Sequence, residues 1–146
     1  MPTRKAQGTW EGGLRGGKGT FRGESGLIAG PYSFGSRFEN AAGTNPEELL
    51  AAAEAACFSM ALSGGLEKNG TPPTRVDTDA ACTVEKVGDG FTITKMHLTV
   101  RATVPNLDDA TFQRIANETK KTCPVSRALT GVEISLEAEL LQTAGV

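Results

Sequence analysis

The sequence predicts an α+β domain that pairs into a homodimer. Three observations carry this. Apolar and polar residues alternate over 75–87, 91–104 and 132–140, the period of strands with one covered face. A helix start at Asn45-Pro46-Glu47-Glu48 opens a body, Leu49 to Ser63, on which almost no face is polar. The order is strands, a central helix, two strands, two short helices and a strand, so antiparallel strands are expected on at least one covered sheet. A helix apolar on most sides must be buried on most sides. One chain of 146 residues struggles to surround it, and its alanines permit close approach of another backbone. The expectation is a helix packed into a dimer core.

Composition narrows the function. At 146 residues the chain is read as one domain, 1–146. Fifteen Lys+Arg against 17 Asp+Glu give a net charge of −2, which argues against nucleic acid or an anionic membrane as the main partner. No apolar run approaches the roughly 20 residues of a membrane span. The N-terminal Met1-Pro2-Thr3-Arg4-Lys5 leads into no apolar signal core, so a cytoplasmic location is expected.

The elements follow in order. The first 45 residues are glycine-rich, with short strands expected around 6–15, 18–24 and 31–38. Gly16-Gly17-Lys18-Gly19-Thr20 superficially resembles a phosphate loop, but it lacks the full spacing and precedes no helix, so it reads as a tight turn. Asn45 can cap the central helix, Pro46 suits its first position, and Glu48 stands where a capping box places a carboxylate. Gly64-Gly65 is expected to end it, giving a helix over 46–65. In the strand over 75–87, Val76, Ala80, Cys82 and Val84 share the inward face. In the next, Met96, Leu98, Val100, Ala102 and Val104 point inward. Phe91 and Ile93 have the opposite register, which predicts a bulge or a change of face. A helix over 108–122 presents Phe112, Ile115, Ala116 and Thr119. A short helix follows from Cys123-Pro124, and the last strand buries Val132, Ile134, Leu136, Ala138 and Leu140.

Three cysteines and one histidine set the candidate chemistry. An odd cysteine count with no signal core does not read as a secreted disulfide framework, and no paired spacing suggests zinc. Cys82 lies on an apolar strand face and reads as core. His97 lies on a polar face beside Lys95 and Arg101 and reads as a solvated strand residue. Without it no Ser–His or Cys–His arrangement can be built. Cys123 precedes Pro124 at a helix start, where free amides and the helix dipole favour a thiolate; position alone leaves it between an activated thiol and a buried cap. Cys57, in mid-helix, would be inert core by position. Arg37 is a surface or Glu39-paired side chain, or else the cation that lowers a thiol pKa where no histidine is available. Glu47 suits the first helical turn through the macrodipole alone.

The runs Gly43-Thr44-Asn45-Pro46-Glu47-Glu48-Leu49-Leu50 and Ala55-Ala56-Cys57-Phe58-Ser59-Met60-Ala61-Leu62, followed much later by Cys123-Pro124-Val125-Ser126, resemble the OsmC/Ohr family of hydroperoxide reductases. The likeness is closer to the OsmC branch and extends over nearly the whole chain. It implies an OsmC-like fold: antiparallel sheets around a long central helix in an intertwined homodimer, with active sites at the subunit interface. In that frame 1–45 is an N-terminal β segment contributing to the dimer, 46–65 the central helix and 75–141 a β-β-α-α-β unit. The resemblance implies a cysteine-based peroxidase that reduces organic hydroperoxides, and hydrogen peroxide more weakly, without haem, flavin or metal, and is regenerated by an external thiol or dithiol. It makes Cys57 the peroxidatic and Cys123 the resolving cysteine, with Arg37 and Glu47 as the pair that activates the reactive thiol. Phe58 and Met60 are candidates for an apolar substrate pocket. Ten helical residues rise about 15 Å, beyond a Glu side chain's reach. Glu47 is therefore expected to serve the partner's Cys57, unless the helix breaks between them. The competing readings are a non-enzymatic dimer binding an apolar ligand and a peroxide sensor acting through a partner.

Overall fold

The computed structural model describes residues 1–141. Two compact units are present, Met1–Leu49 and the chain from Leu50 onward.

In the first unit, β1 (Ala6–Glu11), β2 (Lys18–Gly23) and β3 (Ala29–Tyr32) form an antiparallel sheet in that order. The β1–β2 turn closes as the Gly17 amide donates to the Gly13 carbonyl at 2.9 Å. A Cβ on Gly17 would lie 2.3 Å from that oxygen, so the turn demands glycine there. Tyr32 stacks between Trp10 and Phe21, with ring centroids 5.4 and 6.0 Å away. The strand expected over 31–38 stops at Tyr32. In its place stands α1 (Phe34–Phe38), started by a reciprocal cap. The Ser36 amide donates to Ser33 Oγ at 3.0 Å, and the Ser33 amide donates to Ser36 Oγ at 2.8 Å. Arg37 therefore projects from one helical turn, not from a strand end.

The central helix is α2 (Pro46–Lys68). Its start is as expected: the Glu48 amide donates to Asn45 Oδ1 at 2.7 Å. Its end is later than expected. Gly65 lies inside the helix because a Cβ there would meet Ile115 Cγ2 at 3.1 Å; the glycine permits close packing and is not a stop. The stop is Gly70, at φ +85, where the Thr71 amide donates to the Leu66 carbonyl at 3.0 Å. At 23 residues, with a mean hydropathy of 1.5 over an 18-residue window, α2 is long and apolar enough to cross a membrane by length and composition. That corrects the expectation that no stretch reaches this size. Single polar residues such as Glu54 and Ser59 interrupt the run but barely lower its average.

In the second unit, β4 (Arg75–Val87), β5 (Gly90–Thr103) and β6 (Glu133–Leu141) form a sheet in that order. β4 and β5 are antiparallel. Their register shifts between Thr83 and Val84, leaving Thr94 as the extra residue, which brings Ile93, opposite Val84, to the face that Met96 shares with Cys82 despite its opposite parity in sequence. β6 corrects the expectation of antiparallel sheets. It runs parallel to β5, from Lys95 opposite Glu133 to Thr103 opposite Leu141. The connection holds α3 (Asp109–Thr122) and α4 (Pro124–Ala128), long enough to return the chain to the end from which β5 began.

The core lies between this sheet and the helices. Met96, Leu98, Val100 and Ala102 of β5 meet Phe58, Leu62 and Leu66 of α2 and Phe112, Ile115 and Ala116 of α3. The α3 stripe is the one the sequence predicts, Thr119 included. Cys82 of β4 packs at the margin of this core, half-buried. His97 is on the outward face of β5. Its Nδ1 is 2.6 Å from Ser135 Oγ and its Nε2 3.3 Å from the Glu137 carboxylate, a cross-strand surface cluster.

Candidate active site

Cys57, in the middle of α2, and Cys123, between α3 and α4, are 66 residues apart in sequence. Their sulfurs lie 2.9 Å apart, with the Cys123 thiol donating. Both are free thiols, and a bridge of about 2.05 Å needs only a small further approach. Cys123 is fully buried; Cys57 is partly exposed. The dipole expected to favour a Cys123 thiolate is weak at this position. The Cys123 amide donates to the Thr119 carbonyl at 2.9 Å, so the residue ends the 14-residue α3 as it begins the five-residue α4. The longer helix presents its negative end.

The local field opposes ionisation of Cys57. Burial pushes its pKa up, and so does its hydrogen bond with Cys123. The Val125 amide, at the start of α4, pulls it down, while the Cys123 and Glu54 charges raise it further. Burial and the Glu54 carboxylate act in the upward sense whichever sulfur donates. An active thiolate here needs a cation brought to it.

The cation identified from sequence is held in the first unit. Arg37 Nε donates to Glu47 Oε1 at 2.8 Å, an ion pair in which Glu47 is 5% exposed. Arg37 thus pairs with Glu47, the partner implied by the resemblance. Among the described residues its side-chain hydrogen bonding uses Nε alone, and its guanidinium carbon lies 5.0 Å from the centre of the Phe38 ring. Among the described residues, Glu47 Oε2 is buried with no hydrogen-bond partner. Trp10, Leu14, Tyr32, Phe34, Arg37 and Phe38 line an apolar pocket of about 220 Å³ with Arg37 in its wall.

A sulfur pair at this spacing, with Arg37 and Glu47 bonded, sits in a chain whose residues 38–137 match the family described as OsmC-like protein. The chain belongs to the OsmC-like family. Over 138 residues, 94% of this chain and 96% of the relative, it is 49% identical to peroxiredoxin OsmC of Escherichia coli (strain K12). It is 32% identical over 96 residues to the organic hydroperoxide resistance protein of Xanthomonas axonopodis pv. citri (strain 306), covering 64% of this chain and 66% of that one. The expected leaning to the OsmC branch agrees with that difference. The fold matches the crystal structure of an organic hydroperoxide resistance protein OsmC from Legionella pneumophila, with a TM-score of 0.73, 22% identity, and 96% and 98% of the two chains covered. This OsmC-like chain therefore has the family's α+β fold. Cys57, Cys123 and Glu47 fall inside the matched stretch, and Arg37 stands one residue before it.

Two expectations and two omissions stand out in this OsmC-like site. Phe58 is fully buried in the core, where it shares the inward stripe of α2 with Leu62 and Leu66. Met60, on another face, is 81% exposed. The residues sequence reading passes over are Glu54 and Ser126. Glu54 is fully buried; its Oε1 accepts a hydrogen bond from Ser126 Oγ, and among the described residues its Oε2 has no hydrogen-bond partner. The signal was present: a single charge within the apolar stretch from Leu49 to Leu66, one turn before Cys57, and a serine one turn after Cys123.

Proposed function

We propose that this protein is a thiol-dependent peroxidase that reduces organic hydroperoxides to alcohols, and hydrogen peroxide more weakly. The observation that carries the reading is the pair of free sulfurs 2.9 Å apart on the motifs the family resemblance marks. The 49%-identical relative is named a peroxiredoxin, which supports it.

The Cys57 thiolate attacks the distal oxygen of ROOH. The O–O bond breaks, the alkoxide takes a proton and leaves as alcohol, and Cys57 becomes a sulfenic acid. Cys123 then attacks the Cys57 sulfur. An S–S bond forms, the S–O bond breaks, and the hydroxyl leaves as water with the Cys123 proton. An external thiol or dithiol reduces the disulfide by exchange and restores both thiols. Arg37 stabilises the thiolate and the developing oxygen charge, and Glu47 holds the guanidinium. The aromatic pocket beside Arg37 suits an organic tail better than it suits hydrogen peroxide.

The working unit in this reading is an intertwined homodimer in which Arg37 and Glu47 of one chain serve the partner's Cys57. Support comes from α2, which is unbroken from Pro46 to Lys68, so Glu47 stands about 15 Å along the axis from its own Cys57. Further support comes from its exposed apolar face, with Ala53, Ala56 and Met60 uncovered. On this reading the whole chain, 1–146, works as one domain per subunit. A cytoplasmic location fits three unbridged thiols.

The test is thiol counting before and after one equivalent of cumene hydroperoxide, with mapping of the bond formed. Loss of two thiols and a Cys57–Cys123 bond is expected. Binding of the hydroperoxide without thiol loss favours the ligand-binding module, and oxidation without thiol-driven turnover favours the sensor; either overturns the enzyme.

A further inference from the structure

Resting on the peroxidase reading, we propose that Glu54 and Ser126 form a buried latch that positions Cys123 for the resolving step. The contacts converge on one turn of each helix. Glu54 stands three residues before Cys57 on α2, and Ser126 three residues after Cys123 on α4. Across the same helix pair, Cys123 Sγ donates to Cys57 Sγ, and Ser126 Oγ donates to Glu54 Oε1. The sulfur contact and the hydroxyl–carboxylate contact are two points of attachment between two rigid turns. When peroxide converts Cys57 to a sulfenic acid, the thiol–sulfur hydrogen bond is lost. The Glu54–Ser126 bond remains, and it keeps α4 seated while the Cys123 sulfur attacks.

The chemistry of Glu54 argues that it is there for a task. It is fully buried on the α2 stripe that carries Phe58, Leu62 and Leu66, and among the described residues one of its oxygens has no hydrogen-bond partner. Leaving a buried acceptor unpaired is costly relative to satisfying it. Leucine at this position would extend the stripe of Phe58, Leu62 and Leu66 without that cost. The carboxylate does offer what leucine lacks, a strong acceptor for the Ser126 hydroxyl. Glu54 acts on the reaction through Ser126 and α4. It is a positioning residue, and the step it governs is disulfide formation.

The latch is tested by single-turnover oxidation with one equivalent of cumene hydroperoxide, following Cys57 sulfenic acid by dimedone trapping and the Cys57–Cys123 bond by mass mapping. In Ser126→Ala and Glu54→Ala the sulfenic acid should persist at least about tenfold longer than in the unmodified protein. Glu54→Gln, whose amide oxygen still accepts from Ser126, should restore most of the rate. The double alanine variant should be no slower than either single, since the two remove one interaction. General loosening of the fold would not be rescued by glutamine in this pattern. If Glu54→Ala fails to fold, Ser126→Ala, which deletes one oxygen, decides the matter alone. Disulfide formation in Ser126→Ala within twofold of the unmodified rate overturns the latch and leaves the peroxidase standing. No Cys57–Cys123 bond in the unmodified protein overturns both.

Discussion

At the scale of single residues, the proposed roles of the two sulfurs rest on their surroundings: Cys57 is partly exposed and Cys123 fully buried, which suits first attack by Cys57. Cys57→Ser should abolish peroxide consumption. Cys123→Ser should still consume one equivalent and stop, with a sulfenic acid or mixed disulfide detectable by mass. Equal loss of the first oxidation in both variants would reverse the assignment. The raised pKa of Cys57 gives a prediction of definite sign. Burial favours its protonated form, the Val125 amide opposes this only in part, and in the proposed mechanism an approaching guanidinium lowers the pKa further. In Arg37→Ala the pH midpoint of iodoacetamide alkylation at Cys57 should move upward by about 1–3 units, and peroxide turnover near pH 7 should fall about tenfold or more. An unmoved midpoint excludes Arg37 as the activating cation.

At the scale of elements, caps and packing explain both what the sequence revealed and what it concealed. Asn45 holds the start of α2 by its bond to the Glu48 amide and donates from Nδ2 to the Ser36 carbonyl at 3.0 Å. Asn45→Ala should cost about 1 kcal/mol in denaturant unfolding, a typical value for a lost N-cap. The long helix, the α3 stripe and the bulge in β5 were legible because each imposes a period or breaks one. α1 was not, since five residues are too few to show a helical period; the Ser33–Ser36 reciprocal cap was its only mark. The direction of β6 was hidden too, because alternation specifies which face a residue takes and not which way the strand runs. Cys57, Cys123, Arg37 and Glu47 were found through family motifs. Glu54 went unremarked because the apolar character of its helix was read as an average.

For the whole molecule, the question is which chain completes each site. Mixed dimers answer it. One subunit carries Arg37→Ala and the other Cys57→Ser, each near-inactive by itself. If Arg37 serves the partner's Cys57, every mixed dimer regains one intact site. Random re-pairing of equal amounts should then return roughly a quarter of the unmodified activity, since half of the dimers are mixed and half of their sites are whole. A site built within one chain returns nothing on mixing, and co-refolded samples assayed with cumene hydroperoxide separate the two outcomes. The third cysteine has its own consequence for such assays. Cys82 sits on β4 at the edge of the core, away from the sulfur pair in chain and element. A denatured reduced chain therefore titrates three thiols and a fully bridged one titrates one, so in the proposed cycle complete oxidation leaves a third of the colour, and a lower reading reports that Cys82 has been drawn into a bridge between chains.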